Sequence, residues 1–323
     1  MEYGKIVGMD KSVSRLLMGT TGLNAARQED SDRLLDEVYA LGVNTFDTAL
    51  VYGNGSEIAL GRWVASRNLR EKVNVITKGA HPDGTRKRVS RQEILDDCAR
   101  SLERLGMTCV DGYLLHRDDP EVSVGEIMDT LNELKDRGCI RAFGGSNWTQ
   151  ERIVEANAYA AAHGMTGMTM SSPHYSLAPQ MVDPWGGNCV TIAGKEQAKA
   201  RAFYQETGMP VLAYSSLSHG FLSGRLRSDH PEDAERVLDF FGKTGFAYPE
   251  NFERLRRCEE LGAKYGMAVP QIAMAWLLRQ PENVFPIVSV SKASRMSENI
   301  AAMSIPLTER ELKYLNLETD DKE

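Results

Sequence analysis

Short apolar runs alternate along the chain with longer stretches whose apolar positions recur every three or four residues. The runs lie at 15–19 (RLLMG), 44–47 (NTFD), 73–77 (VNVIT), 110–115 (VDGYLL), 140–144 (IRAFG), 168–172, 210–214 (PVLAY) and 284–288 (VFPIV). Runs of this kind predict strands buried on both faces of a parallel sheet. Helices are predicted over 31–41, 57–66, 90–104, 123–137, 150–163, 194–207, 251–279 and 295–303. Ser90 and Glu93 carry the S-x-x-E spacing of a capping box at the third of these. Eight strand–helix units favour a closed (β/α)8 TIM barrel, although alternation alone leaves a doubly wound sheet open. Two stretches break the rhythm, 177–190 and 215–249. Both leave C-terminal strand ends, where barrel enzymes build their sites, so they are expected to shape substrate recognition.

Composition narrows the class without naming a task. A length of 323 residues fits one α/β barrel, and no Pro/Ser-rich linker divides it, so a single domain over 1–323 is expected. The net charge of -7 disfavours nucleic acid and anionic membranes as partners. Cys98, Cys109, Cys139, Cys189 and Cys258 show no metal-type spacing, and Cys109 and Cys139 sit in apolar runs that suggest buried thiols. The start lacks the apolar core of a signal peptide, and no apolar run approaches membrane-spanning length. A cytoplasmic location is the default, and the oligomeric state is not readable.

The chemistry gathers at strand ends. Asp47 closes the second run, and Tyr52 follows in the loop before a glycine-flanked helix start that continues to Gly61. Lys78 follows the third run and His116 the fourth. Taken singly, these residues read as a helix cap, turn packing, a snorkelling lysine and a structural histidine. Taken together, they fall at three successive strand ends that a barrel would bring around one mouth. Their types suit carbonyl reduction. A tyrosine, with an ordinary pKa near 10, needs help to act as an acid at neutral pH. Lys78 would favour the phenolate and lower that pKa, with Asp47 keeping Lys78 charged. His116 would donate to the carbonyl oxygen and hold it against Tyr52.

With these residues the sequence resembles the aldo-keto reductase superfamily, from RLLMGT to SENIAAM. The resemblance implies a barrel with an extended nicotinamide cofactor, no metal, and a small carbonyl or alcohol as substrate. It assigns Asp47, Tyr52, Lys78 and His116 as the catalytic tetrad. In I-R-A-F-G-G-S-N it nominates Ser146 and Asn147 for the nicotinamide carboxamide, with Gly19 and Thr20 beneath that ring and Tyr214 stacked on it. Ser215, Leu217, Ser218 and Arg225 correspond to the loop over the pyrophosphate. Ser289, Ser291, Lys292, Arg295, Glu298 and Asn299 correspond to the adenosine end. There the guanidinium and ammonium suit a 2′-phosphate, so NADP(H) is favoured over NAD(H).

The chain departs from the family at two places. Ser172, a cofactor-binding position, stands where many members carry Gln three residues before a Tyr, here Tyr175, to bind the carboxamide. Ser289 stands where Gly is frequent after P-I-V. Trp148 and Trp185 are candidate substrate contacts, Trp148 being equally compatible with packing. His174 and His219 read as loop hydrogen-bonders, and Met165, Met168 and Met170 as core filling. No G-x-G-x-x-G follows the first strand, which disfavours a Rossmann dehydrogenase. Besides reduction, two other readings stay open: an NAD(P)-linked dehydrogenase of a polyol or sugar, and a cofactor-binding regulatory protein like the potassium-channel β-subunits.

Overall fold

A computed structural model describes residues 1–187 and 189–322. Eight parallel strands form its centre: β3 (Leu17–Gly19), β4 (Thr45–Asp47), β5 (Asn74–Gly79), β6 (Val110–Leu115), β7 (Ile140–Ser146), β8 (Met170–Ser172), β9 (Val211–Ala213) and β10 (Val284–Val288). β10 pairs with β3, Ile287 opposite Leu17, and this pairing closes the sheet into a barrel. Each of the eight apolar runs is therefore a barrel strand, two of them with unchanged ends.

Two apolar layers explain why those runs show no alternation. Leu17, Ile76, Leu114, Ala142, Met170, Leu212 and Phe285 fill the barrel interior. Their neighbours Met18, Phe46, Val75, Tyr113, Phe143 and Val211 pack outward beneath the helices. An antiparallel hairpin, β1 (Tyr3–Gly4) with β2 (Val13–Ser14), was not expected from the pattern. Its Ile6, Met9 and Val13 join the interior cluster and plug the end opposite the site. Met168 and Met170 are buried as expected, whereas Cys98 and Cys258, rather than Cys109 and Cys139, are the fully buried thiols.

The surrounding helices are α1 (Gln28–Ala40), α2 (Ser56–Ser66), α3 (Arg91–Leu105), α4 (Val124–Asp136), α5 (Gln150–Ala162) and α6 (Ala198–Thr207). They continue as α7 (Ala234–Val237), α8 (Phe240–Phe246), α9 (Pro249–Tyr265), α10 (Val269–Leu278), α11 (Ala293–Ala301) and α12 (Glu309–Leu315). At the start of α3 the Glu93 carboxylate accepts from both the Ser90 backbone N–H and its hydroxyl, as the spacing predicted. The single helix expected over 251–279 is two. Gly266 adopts φ +65° and ends α9, and Pro270 starts α10, so the backbone cannot run through. The short helices α7 and α8 within the second insertion, and α12 at the end, carried too little periodicity to be predicted. No helix among the described residues is long and apolar enough to cross a membrane.

Candidate active site

The strand register sets the site. β4 ends on Asp47 opposite Ile76, which places Lys78 two residues further along β5 at the same mouth. The loop after β4 is pinned to β5, because Thr48 N–H donates to the Ile76 carbonyl and Leu50 N–H to that of Lys78. A turn closed by Tyr52 N–H on the Ala49 carbonyl then brings the phenol back over the barrel. His116 N–H donates to the Gly79 carbonyl, fixing the fourth group beside the third.

Lys78 is the hub. Its Nζ donates to both Asp47 oxygens at 2.7 and 2.6 Å, to the Thr48 carbonyl at 2.9 Å, and reaches Tyr52 Oη at 3.4 Å. Burial works to lower the Lys78 pKa, but the Asp47 carboxylate and the Tyr52 oxygen outweigh it and hold it above its ordinary value. Burial pushes the Asp47 carboxyl up against the pull of Lys78. With the ammonium seated on both carboxylate oxygens, we take the pair as ionised.

The expectation that Lys78 lowers the Tyr52 pKa is not met as a net effect. Burial pushes Tyr52 above 10; Lys78 opposes, but the Asp47 charge that claims it adds to the rise. The phenol therefore stays protonated at neutral pH and faces the cavity with its proton in place. Across from it the His116 ring lies edge-on, its centroid 6.2 Å away. Burial, then Lys78, Arg117 and His81, push the His116 pKa well below 6.5, so the imidazole is neutral and has one N–H to donate.

All four groups line one cavity of about 840 Å³. Twelve more of the residues expected from the sequence line it too: Gly19, Ser146, Asn147, Ser172, Tyr214, Ser215, Leu217, Ser289, Arg225, Ser291, Arg295 and Trp185. Glu298 and Asn299 line it as well. Asn147 sits at the crossing of three segments. Its Nδ2 donates to the His116 carbonyl and to Ser146 Oγ, and its Oδ1 accepts from Val190 N–H and Tyr214 Oη. The loop after β9 is strained, with Ser215, Ser218 and His219 all at φ near +50°. Three such non-glycine residues within five positions are a mark of a ligand-holding loop. Trp185 stacks on Phe241 at 5.3 Å, clamping the two insertions together across the mouth.

A sequence model of the aldo/keto reductase family matches residues 15–317. The chain belongs to this family. Among its relatives, aldo-keto reductase str7 of Strobilurus tenacellus is 28% identical over 95% of this chain and 86% of its own. A putative voltage-gated potassium channel subunit beta of Schizosaccharomyces pombe is 26% identical over 85% of this chain and 79% of its own. In three dimensions the barrel superposes on the thermostable aldo-keto reductase Tm1743, solved with the inhibitor epalrestat. The TM-score is 0.72 at 23% identity, covering 98% of this chain and 99% of that one. Membership supports an oxidoreductase that works with a nicotinamide cofactor on carbonyl compounds.

The lining chemistry of this aldo-keto reductase suits an elongated dinucleotide. Hydroxyls and amides share the cavity lining with Arg225, and the segment after β10 adds Ser291, Arg295 and Asn299. A second cavity of about 870 Å³ shares Ser289 and Ser291 with the first and has Arg27 and Lys292 on its wall. Lys292 is thus beside the main cavity rather than in it. Thr20 and Ser218 also lie off it, buried, with Thr20 bonded to Ser56 and Ser218 to Ser176. Trp148 is not a pocket floor. It is fully buried under Gly145, where an added Cβ would lie 2.4 Å from the indole, and Arg152 covers its ring. Ser172 donates its hydroxyl back to the Leu212 carbonyl, so it is anchored within the barrel. Ser289 packs against Gly19, its Oγ donating to the Gly19 carbonyl at 3.0 Å.

Several lining residues were not singled out from the sequence: Thr21, Val51, His81, Arg117, Cys189 and Ser216. The signal for His81 and Arg117 was present, since each follows a barrel strand end within two residues. His174 is the loop hydrogen-bonder expected, joined to Thr191 and Ser176, whereas His219 faces the cavity and approaches Asp239.

Proposed function

We propose that the protein reduces an aldehyde, ketone or sugar carbonyl with NADPH, with Tyr52 as the general acid. The observation that carries this reading is the chain from buried Asp47 and Lys78 to half-buried Tyr52, facing a neutral His116 across one cavity. The nicotinamide, when bound, supplies the hydride. His116 donates its N–H to the carbonyl oxygen and positions it at Tyr52 Oη. As that oxygen becomes an alkoxide, the phenol gives up its proton. The ammonium of Lys78, held by Asp47, steadies the phenolate left behind. A raised resting pKa keeps the donor loaded, and the alkoxide is basic enough to take the proton.

Preference for NADPH rests on Arg295 and Lys292 at the adenosine end, where a 2′-phosphate would compete with Glu298 for the Arg295 guanidinium. Two variants test these assignments. Tyr52→Phe should lower carbonyl turnover about 10²- to 10⁴-fold while NADPH binding, followed by fluorescence, stays close to that of the parent. Full activity in that variant would overturn the role of Tyr52. Arg295→Ala should weaken NADPH far more than NADH, and equal losses for both would remove the 2′-phosphate assignment.

The channel-subunit relative supports a second reading, a cofactor-binding sensor. Oxidation of bound NADPH by a panel of aldehydes separates the two. Rapid repeated turnover supports the reductase, and one slow oxidation per protein supports the sensor.

A further inference from the structure

One cation in the cavity has no task in the reaction described above. Arg117 follows His116 directly and lines the cavity half-buried. One guanidinium nitrogen donates to the His116 carbonyl at 2.9 Å, and another approaches Cys189 Sγ, a weak acceptor, at 3.5 Å. Arg225, the other cation of the cavity without a carboxylate among the described residues, bonds Ser223 and is expected at the pyrophosphate, whereas the cations on the segments around Arg117 are paired. Lys78 has Asp47, Lys87 has Asp119, Arg88 has Asp97 and Arg152 has Asp118. Arg117 pairs with none among the described residues.

Its place is the reacting end. The charge of Arg117 bears on Tyr52, His116 and His81, the three groups around the expected carbonyl, and on Tyr214 and Cys189 behind them. A half-buried guanidinium without a counter-ion gives up hydration that an anionic ligand would replace. Its planar fork matches a carboxylate with two parallel hydrogen bonds. With Lys78 already neutralised by Asp47, the single unpaired charge of Arg117 suits a monoanion better than a doubly charged phosphate. Trp185, which lines the same cavity and is backed by Phe241, offers an apolar wall to the rest of such a molecule.

We propose that Arg117 is a specificity-determining residue that binds a carboxylate on the substrate, so that the preferred substrates are aldehydo- or keto-acids. This rests on the reductase reading. The test compares the parent protein and Arg117→Met, each with NADPH, on two matched pairs: succinic semialdehyde and its methyl ester, and a formylbenzoate and its methyl ester. The parent should favour the acid of at least one pair by about 10- to 100-fold in kcat/KM, carried mainly by KM, as expected for a charge-assisted hydrogen bond. Arg117→Met should bring that ratio toward one, and Arg117→Lys should restore part of it. No preference in the parent overturns the proposal. So does an equal loss on acid and ester in Arg117→Met, the result expected if Arg117 only holds the Cys189 loop. If no aldehyde is reduced at all, the reductase reading fails. Calorimetric binding of benzoate against methyl benzoate then still decides the carboxylate site: tighter benzoate binding in the parent, abolished in Arg117→Met, supports it, and equal binding overturns it.

Discussion

At the scale of single residues, the site is governed by what burial does to charge. Tyr52 and Lys78 are both held above their ordinary pKa values and His116 far below its own. The proton needed for reduction sits on Tyr52, so activity is lost only as pH rises through a value above 10. His116 stays neutral at every working pH and contributes no limb. The single-turnover rate of aldehyde reduction should therefore be flat from about pH 6.5 to about pH 10. A limb centred near pH 6.5 would show that a histidine of ordinary pKa controls the step. The identities of Asp47, Tyr52, Lys78 and His116 were legible in the sequence because three end or adjoin apolar strands and Tyr52 follows in the loop after one of them. The direction of the Tyr52 shift was not, because it depends on Lys78 being claimed first by Asp47 and on the ring being enclosed by later segments.

At the scale of elements, the mouth is positioned by close packing of helices against each other and the barrel. α2, which follows the Tyr52 loop, meets α3 at Gly61, where an added Cβ would lie 2.1 Å from the Leu105 carbonyl oxygen. Gly61→Ala would gain about 1 kcal/mol of helix propensity. The displaced backbone should cost about 1–3 kcal/mol, so the clash wins. Urea denaturation should show a lower midpoint with an unchanged slope. An unchanged midpoint would mean that α2 and α3 separate freely. Helix starts were legible where side chains cap locally, as at Ser90 and Glu93. The break at Gly266 was missed because apolar periodicity continues on both sides of it, and one left-handed residue ends a helix without disturbing the pattern around it.

At the scale of the whole molecule, buried neutral histidines couple folding to pH. Burial lowers the His174 pKa to about 3, and its ring is satisfied as a neutral group by Thr191 and Ser176. Its folded value lies below the unfolded one, so its stabilisation is complete above about pH 6.5 and is lost as pH falls toward 3. His116 and His81 act in the same direction, and exposed His230, raised by Glu232, opposes them. Unfolding free energy should fall with a slope that steepens below about pH 6.5 toward about 1.4 kcal/mol per pH unit near about pH 5 for His174 alone. His174→Asn should be less stable at pH 7 and show a shallower slope, measured by denaturant titration at each pH. An unchanged slope would mean that His174 is protonated in the folded state.

Local pattern was enough for the strands, most of the helices and the types of the reacting groups. Those depend on local periodicity and on which side chain follows each apolar run. Only the tertiary structure decided that the sheet closes, through Ile287 against Leu17, and that the N-terminal hairpin plugs one end. It also put Trp148 under Gly145 and away from the cavity, a packing role that the sequence had left as open as a substrate contact, and Trp185 at the mouth. The same holds for Arg117. Its position after His116 was visible in the chain, but its want of a carboxylate partner depends on segments distant in sequence. Pattern reports how a residue sits on its own element, whereas charge partnership and burial are set by what other elements bring to it.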